Sequence, residues 1–437
     1  MYKKRIVTLI IAGVFVAMTA FTGCSKVAPP AEESGAAQIK ATPADTGKNS
    51  PNAKADGSID LEKIAFYDPD FDYTENGSFK VKYLTAYFGP FFSDANKAIE
   101  HWAGLENIQY DGMWSSDGDN TKFLNHLQDY LDQGYDGLII DSKMKIYPDI
   151  LEILGDYPEV QWTSVLSPLR DTGSDLDPPP LQHPFAGHED YAMGMQMMDK
   201  CVEYADGAWK DLDWDKVGVI GIDYSIVPEL HDRQLGAQDE WNTLKPEYAD
   251  NFYSIDGSSY GLSINAAADL VEQKVKDKQW FTNWLIVACF DDYAYGASKA
   301  IESLGVTDNT CIANIGGAVL AYVFNADQNS AWQFELCTAP NIYLEPIVGA
   351  LYAWMAGYAT PDTIWPQWIN QNDCGADGHT YASYMLPATW IDKGNYKKYL
   401  AWADVYSQAN NYSNYPRGGI SPDDFTVIAE KPDYYDQ

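Results

Sequence analysis

From Phe79 onward the chain alternates short apolar runs with amphipathic stretches, in two consecutive series. Gly137–Asp141 (GLIID), Lys216–Ile222 (KVGVIGI) and Leu285–Phe290 (LIVACF) are too short and too uniformly apolar for surface helices. They read as strands buried on both faces. Between such runs, apolar residues recur at helical spacing: Ala95, Ala98, Ile99 and Trp102, then Phe123, Leu124, Leu127 and Leu131, and later Ile264, Ala267, Ala268, Val271 and Val275. Strand–helix alternation dictates parallel strands joined by crossover helices that cover both faces of a sheet. Two series therefore predict an α/β chain with two doubly wound parallel-sheet lobes. In sheets of this kind ligands bind beyond the carboxyl ends of the strands, so candidate residues are sought at the strand-to-helix turns.

Composition narrows the function classes. The net charge of −34 is spread along the chain without a long acidic block. Phosphate binding needs clustered Lys and Arg, so nucleic acid is not expected as a partner. Five cysteines follow Cys24, an odd number with no CxxC spacing, which indicates neither a zinc site nor a full disulfide set. Cys289, Cys311 and Cys337 lie in strand-like runs and read as buried small side chains. Asp211, Asp213 and Asp215 have the first spacings of a calcium loop, but Lys216 stands where glycine is required and Ile222 where the last glutamate belongs. No GxSxG, HExxH or Walker motif is present. No catalytic residue, metal or cofactor is expected, and the chain is not expected to be an enzyme.

The amino terminus speaks to location. Lys3, Lys4 and Arg5 precede an apolar run from Ile6 to Phe21, the layout of a signal peptide covering residues 1–23. Phe21-Thr22-Gly23-Cys24 resembles the lipobox of bacterial lipoproteins. That resemblance implies lipidation of Cys24 and anchoring on the outer face of the cell membrane. Residues 24–60 would then be the lipidated cysteine and a flexible tether, because from Ser25 to about Gly57 there is almost no large apolar side chain.

Four stretches, in order and at matching spacing, carry a wider resemblance. They are Phe88-Gly-Pro-Phe-Phe92, Asp132–Asp141 (DQGYDGLIID), Arg233-Gln-Leu-Gly-Ala237 and Phe290-Asp-Asp-Tyr-Ala-Tyr-Gly-Ala297. Together they resemble the type I periplasmic sugar-binding proteins of the ribose and galactose group. The resemblance implies three crossings between lobes, placed near 207–213, near Thr338-Ala339-Pro340 and within 379–392. Lobe one would be 78–210 and 339–380, lobe two 211–338 and 381–405, with 406–437 a C-terminal extension. It also implies capture of a small solute, a sugar above all, for an ABC transporter permease, by a protein expected to be monomeric. A sensor co-receptor and a surface glycoside hydrolase are the alternatives.

A sugar offers weakly apolar C–H faces to aromatic rings and hydroxyls to fixed donors and acceptors. Phe91 and Phe92 are the expected stacking rings. Arg233 is the expected fork for vicinal hydroxyls. Asp141, Asp256 and Asp291 stand at or after strand ends and can accept hydroxyl protons. Asp292, beside Asp291, is expected to cap the following helix instead. The resemblance also implies a polar ligand-binding residue at the second crossing, where Thr338 stands. The family's Asp in a Gly-Phe-Asp-Gly turn falls on Asn314-Ile-Gly-Gly317, where no carboxylate stands.

Overall fold

The computed structural model describes residues 50–397, apart from 88–89, 166–167, 171–179, 262, 318, 327–329, 339, 375–379 and 387. The apolar run 6–21, Cys24 and the extension 406–437 lie outside the described residues. No helix among the described residues is long and apolar enough to cross a membrane.

The first series forms β1 (Phe79–Thr85), α1 (Pro90–Leu105), β2 (Ile108–Ser115), α2 (Asn120–Asp132), β3 (Gly137–Asp141), α3 (Tyr147–Gly155) and β4 (Gln161–Ser164). Its strands make a parallel sheet in the order β2-β1-β3-β4. A short strand β5 (Phe185–Gly187) leads into α4 (Asp190–Ala208). The second series follows as β6 (Val217–Asp223), α5 (Pro228–Leu244), β7 (Phe252–Asp256), α6 (Ile264–Asp277), β8 (Asn283–Ala288), α7 (Asp291–Leu304), β9 (Thr310–Gly316), α8 (Val319–Ala326) and β10 (Trp332–Cys337). The chain then runs through α9 (Pro340–Met355), β11 (Ile369–Cys374), β12 (Thr380–Met385) and β13 (Thr389–Ile391). The second sheet has the order β13-β10-β9-β8-β6-β7 and is parallel except for β13. The strands read from unbroken apolar runs are the central ones: every residue of β3 and β6 is buried, as is β8 from Trp284 onward.

Local signals set most boundaries. Asp119 caps α2 by accepting from the Lys122 amide, Ser263 caps α6 by accepting from Ala266, and Gly305 closes α7 in the left-handed conformation. Asp292 does not cap α7, because that helix already includes Asp291 and its N-cap position is Phe290.

The structure moves three boundaries. The first crossing is at 187–190 rather than 207–213, because α4 lies along α5 and on β8 and β9. Its Met193, Met197, Met198 and Cys201 share a core with Val217, Leu285 and Ala313 of the second sheet. Residues 381–386 lie with lobe one, since β12 pairs with β5 and β11 in a small sheet against α9. Residues 50–60, expected within the tether, belong to the packed body. The Asn52 backbone amide donates to the Asp68 carboxylate, and its side-chain amide donates to the Lys63 and Phe66 carbonyls. Ile64, Ala65, Phe66 and Tyr73 are buried, and Tyr73 meets Tyr352 of α9 edge-on at 5.0 Å. Aromatic surface fixes this segment to lobe one against its chain entropy.

The crossings are bonded to one another. The Leu386 amide donates to the Gly187 carbonyl at 2.8 Å, and the buried His188 ring contacts the Leu386 carbonyl through Nδ1 at 3.0 Å. Burial, with Arg233 nearby, pushes the His188 imidazole down to about 3. A folded value below the unfolded value of about 6.5 means that stability is lost as pH falls through that window. His188→Gln removes this term. The stability of the wild type relative to His188→Gln should fall by up to about 1.4 kcal/mol per pH unit between pH 6.5 and 4.5, measured by urea unfolding.

Packing between α4 and α5 needs glycine twice. A Cβ at Gly194 would sit 2.0 Å from the Arg233 carbonyl oxygen, and one at Gly236 2.0 Å from that of Tyr191. Gly236 belongs to the Arg-x-x-Gly stretch read from the sequence. Gly236→Ala should push the helices apart and lower stability by about 2 kcal/mol in chemical denaturation.

Candidate functional site

Residues at the carboxyl ends of β1 and β3 lie near residues following β6 of the other lobe, and the groups gathered there are aromatic and acidic. On lobe one, Asp141 is the last residue of β3 and is fully buried. Neither of its carboxylate oxygens makes a hydrogen bond among the described residues. Burial, together with the field of Glu229 on the other lobe, pushes its carboxyl well above the usual range. Tyr87, two residues beyond β1, stacks on Phe92 with ring centres 5.4 Å apart, and Phe91 meets Phe92 edge-on at 5.3 Å. The Tyr87 hydroxyl is pushed up by burial, then by Asp141 of its own lobe and Tyr224 and Glu229 of the other. These pairwise fields place Tyr87 and Asp141 opposite Tyr224 and Glu229 across the space between the lobes.

On lobe two, Tyr224 follows β6 and meets Phe290 edge-on at 6.0 Å and Tyr293 at 6.2 Å. Asp223 ends β6, pairs with His231 Nδ1 at 2.8 Å, and keeps its other oxygen buried without a partner. Glu229 stands in the first turn of α5, where the helix dipole favours a carboxylate.

Arg233 is buried in α5. Its Nε donates to Asp190 Oδ1 at 2.6 Å and its Nη1 to the Cys289 carbonyl at 2.8 Å. It thus ties the first crossing to the end of β8, with no bond from Nη2 among the described residues. Asp291 is held inside lobe two. It accepts from Asn314 Nδ2 at 3.1 Å and the Gly317 amide at 2.8 Å. It also shares a hydrogen bond with the Glu335 carboxyl, which requires one of the pair to hold a proton, and burial pushes Asp291 upward. Gly316 is needed beside it, since a Cβ there would lie 2.2 Å from Asp291 Oδ1. Beside Asp291, Asp292 is pushed up to about 6 by burial and by that neighbour.

The remaining sequence candidates are engaged locally. Asp256 is exposed and accepts from the Ser258 amide at 2.8 Å and the Ser225 hydroxyl at 2.5 Å, so it staples the turns after β6 and β7. The Thr338 amide and hydroxyl both donate to the Gly316 carbonyl, at 2.8 and 3.2 Å. Phe92 supports the Tyr87 ring from the core side and is itself buried. Phe91, half-buried, completes that cluster.

The arrangement brings Phe91, Phe92 and Asp141 together on one wall and Arg233 and Asp291 behind the other. Tyr87, Tyr224, Phe290 and Glu229 were not read from the sequence. Rings from both walls, an unpartnered carboxyl and the remaining Arg233 donors are groups that hold a small polar guest by stacking and charge-assisted hydrogen bonds. Among the described residues no group of His, Cys, Asp and Glu could hold a metal ion, and Cys201, Cys289, Cys311 and Cys337 are buried.

No protein-family model matches the chain, and no curated protein matches it in sequence. Solved structures do match in fold. A periplasmic sugar-binding protein from Pseudomonas fluorescens superposes with a TM-score of 0.59 at 14% identity, over 79% of this chain and 96% of that one. An ABC transporter periplasmic solute-binding protein from Actinobacillus succinogenes 130z with bound D-allose gives 0.56 at 13% identity, over 73% and 99%. An ABC transporter solute-binding protein from Bacillus halodurans C-125 with bound myo-inositol gives 0.53 at 16% identity, over 75% and 99%. Two parallel sheets, three crossings and nearly full coverage of these structures identify the fold of this chain as that of the type I periplasmic binding proteins.

Proposed function

We propose that the chain captures a small polyhydroxylated solute, a sugar or cyclic polyol, between its lobes and hands it to the permease of an ABC importer. The observation that carries this reading is Asp141, a fully buried carboxyl without a hydrogen-bond partner, set among Tyr87, Tyr224 and Glu229 where the lobes meet. A buried carboxyl with nothing to bond is costly to hold, and a hydroxyl-bearing guest satisfies it. The bound allose and inositol of structures that share the fold support the ligand class. The basic head, apolar run and lipobox-like Cys24 support export and lipid anchoring at the outer face of the membrane, with 24–49 as the tether. The body acts as a monomer of two lobes, 50–187 with 340–386 and 188–338 with 389–397.

Thermal unfolding against a panel of hexoses, pentoses, cyclic polyols, disaccharides and nucleosides tests the reading. A ligand at about a hundred times its Kd stabilises the folded state by about 2.7 kcal/mol, a shift easily resolved. A panel-wide absence of any shift would overturn the reading. Asp141 and Glu229 also form an acidic pair across the lobes, as glycoside cleavage requires. Oligosaccharides incubated with the protein should nonetheless be recovered intact; products lost on Asp141→Asn would replace binding with hydrolysis.

A further inference from the structure

A second cavity lies on lobe one, at the amino end of β4 and the carboxyl end of α9, on the side of the sheet away from the strand ends that face lobe two. Its volume is about 460 Å³, within the range of small-molecule sites. Four rings order it. His183 packs on Trp162 with centres 4.1 Å apart and meets Trp354 at a right angle at 4.7 Å. Tyr381 stands nearly parallel to His183, 6.3 Å away at 20°. Two flat faces need about 7 Å between them to admit a ring, so a small outward movement of Tyr381 makes a slot one ring thick.

The polar atoms of this cavity point to what enters. His183 is 8% exposed and its Nδ1 has no hydrogen-bond partner. Trp354 is 5% exposed and its indole Nε1 also has none. Buried polar atoms are nearly always bonded, so two orphans in residues that line one cavity are an exception to be explained. Burial pushes the His183 imidazole down to about 3, so it is neutral and can serve as acceptor or donor. Gln161, Gln182, Thr360 and Asp362 bring further hydroxyl partners to the lining, and no Lys or Arg is among the lining residues. Anions therefore find no counter-charge.

We propose that this cavity is a second, accessory carbohydrate site, taking one uncharged pyranose unit between the His183 and Tyr381 rings with hydroxyls bonded to the Gln161, Gln182, Thr360 and Asp362 side chains of the lining. It is independent of the site between the lobes and would let the protein hold a saccharide at its outer edge.

The test uses 5-fluorotryptophan-labelled protein carrying Asp141→Ala to weaken binding between the lobes. The fluorine signals of Trp162 and Trp354 are assigned from Trp162→Phe and Trp354→Phe. Methyl glucoside, methyl galactoside, maltose and cellobiose are then titrated, with indole as an aromatic probe. At least one saccharide should shift both signals saturably, and His183→Ala or Tyr381→Leu should weaken that response about tenfold or more. Using two variants guards against one that fails to fold. No saccharide response, a response unchanged in both variants, or a response to indole alone would each overturn the proposal. Failure here leaves binding between the lobes untouched, because the two assigned signals report on this cavity.

Discussion

Asp141→Asn should make the ligand-free protein more stable at neutral pH and at the same time weaken its ligand affinity. The carboxyl is fully buried with both oxygens unpartnered, and burial plus Glu229 raises its folded pKa well above the unfolded value of about 3.9. A raised carboxyl costs nothing below pH 4, where both states are protonated, and progressively more as pH climbs toward the folded value. The stability gain of Asp141→Asn should therefore be near zero at pH 4 and grow toward pH 7, to about 1–3 kcal/mol, the usual cost of a buried polar group left unbonded. Against this, loss of a charged acceptor for hydroxyls should reduce ligand affinity by about 10- to 100-fold. Urea unfolding at several pH values and calorimetric titration separate the two effects. A variant that loses stability and keeps its affinity would assign Asp141 to the scaffold.

Arg233→Ala should be among the most damaging single changes. Truncation removes the bonds to Asp190 and to the Cys289 carbonyl and leaves the Asp190 carboxyl buried without its cation. Breaking a buried pair from one side costs about 3–5 kcal/mol. Because Asp190 begins α4 immediately after the first crossing, the loss also loosens the joint between the lobes. Adding Asp190→Asn to Arg233→Ala removes the stranded charge, so the double variant should recover part of the stability, and the two losses should not add. Chemical denaturation of the four proteins measures this cycle. Additive losses, or an Arg233→Ala protein as stable as the wild type, would show that the pair carries no such load.

How much of this was legible in advance depends on distance along the chain. The two sheets were readable because GLIID and KVGVIGI can be satisfied only by burial on both faces, and they are central strands. Asp141 was readable because it ends such a strand. The same rule would have found Tyr87 and Tyr224, which stand within two residues of the ends of β1 and β6. The ion pair that engages Arg233 was not readable, since its partner lies 43 residues away. Amphipathic spacing gives the buried face of α4 but not which sheet covers it, and so the first crossing was placed a helix too late. Pro51 and the small or polar residues around it between 50 and 60 look like spacer. The signal that they are anchored lies just beyond, in Tyr67, Phe71 and Tyr73, whose rings contact one another, Trp102 and Tyr352 of α9, and in Phe66, whose ring meets Tyr384.

The central claim is that the lobes close on a guest. Small-angle X-ray scattering of the protein freed of ligand by partial unfolding and refolding, then saturated with the compound giving the largest thermal shift, tests it most directly. Closure about the crossings at 187–190, 337–340 and 386–389 predicts a radius of gyration smaller by about 1 Å in the complex. Scattering curves that superimpose while calorimetry shows saturation would contradict it.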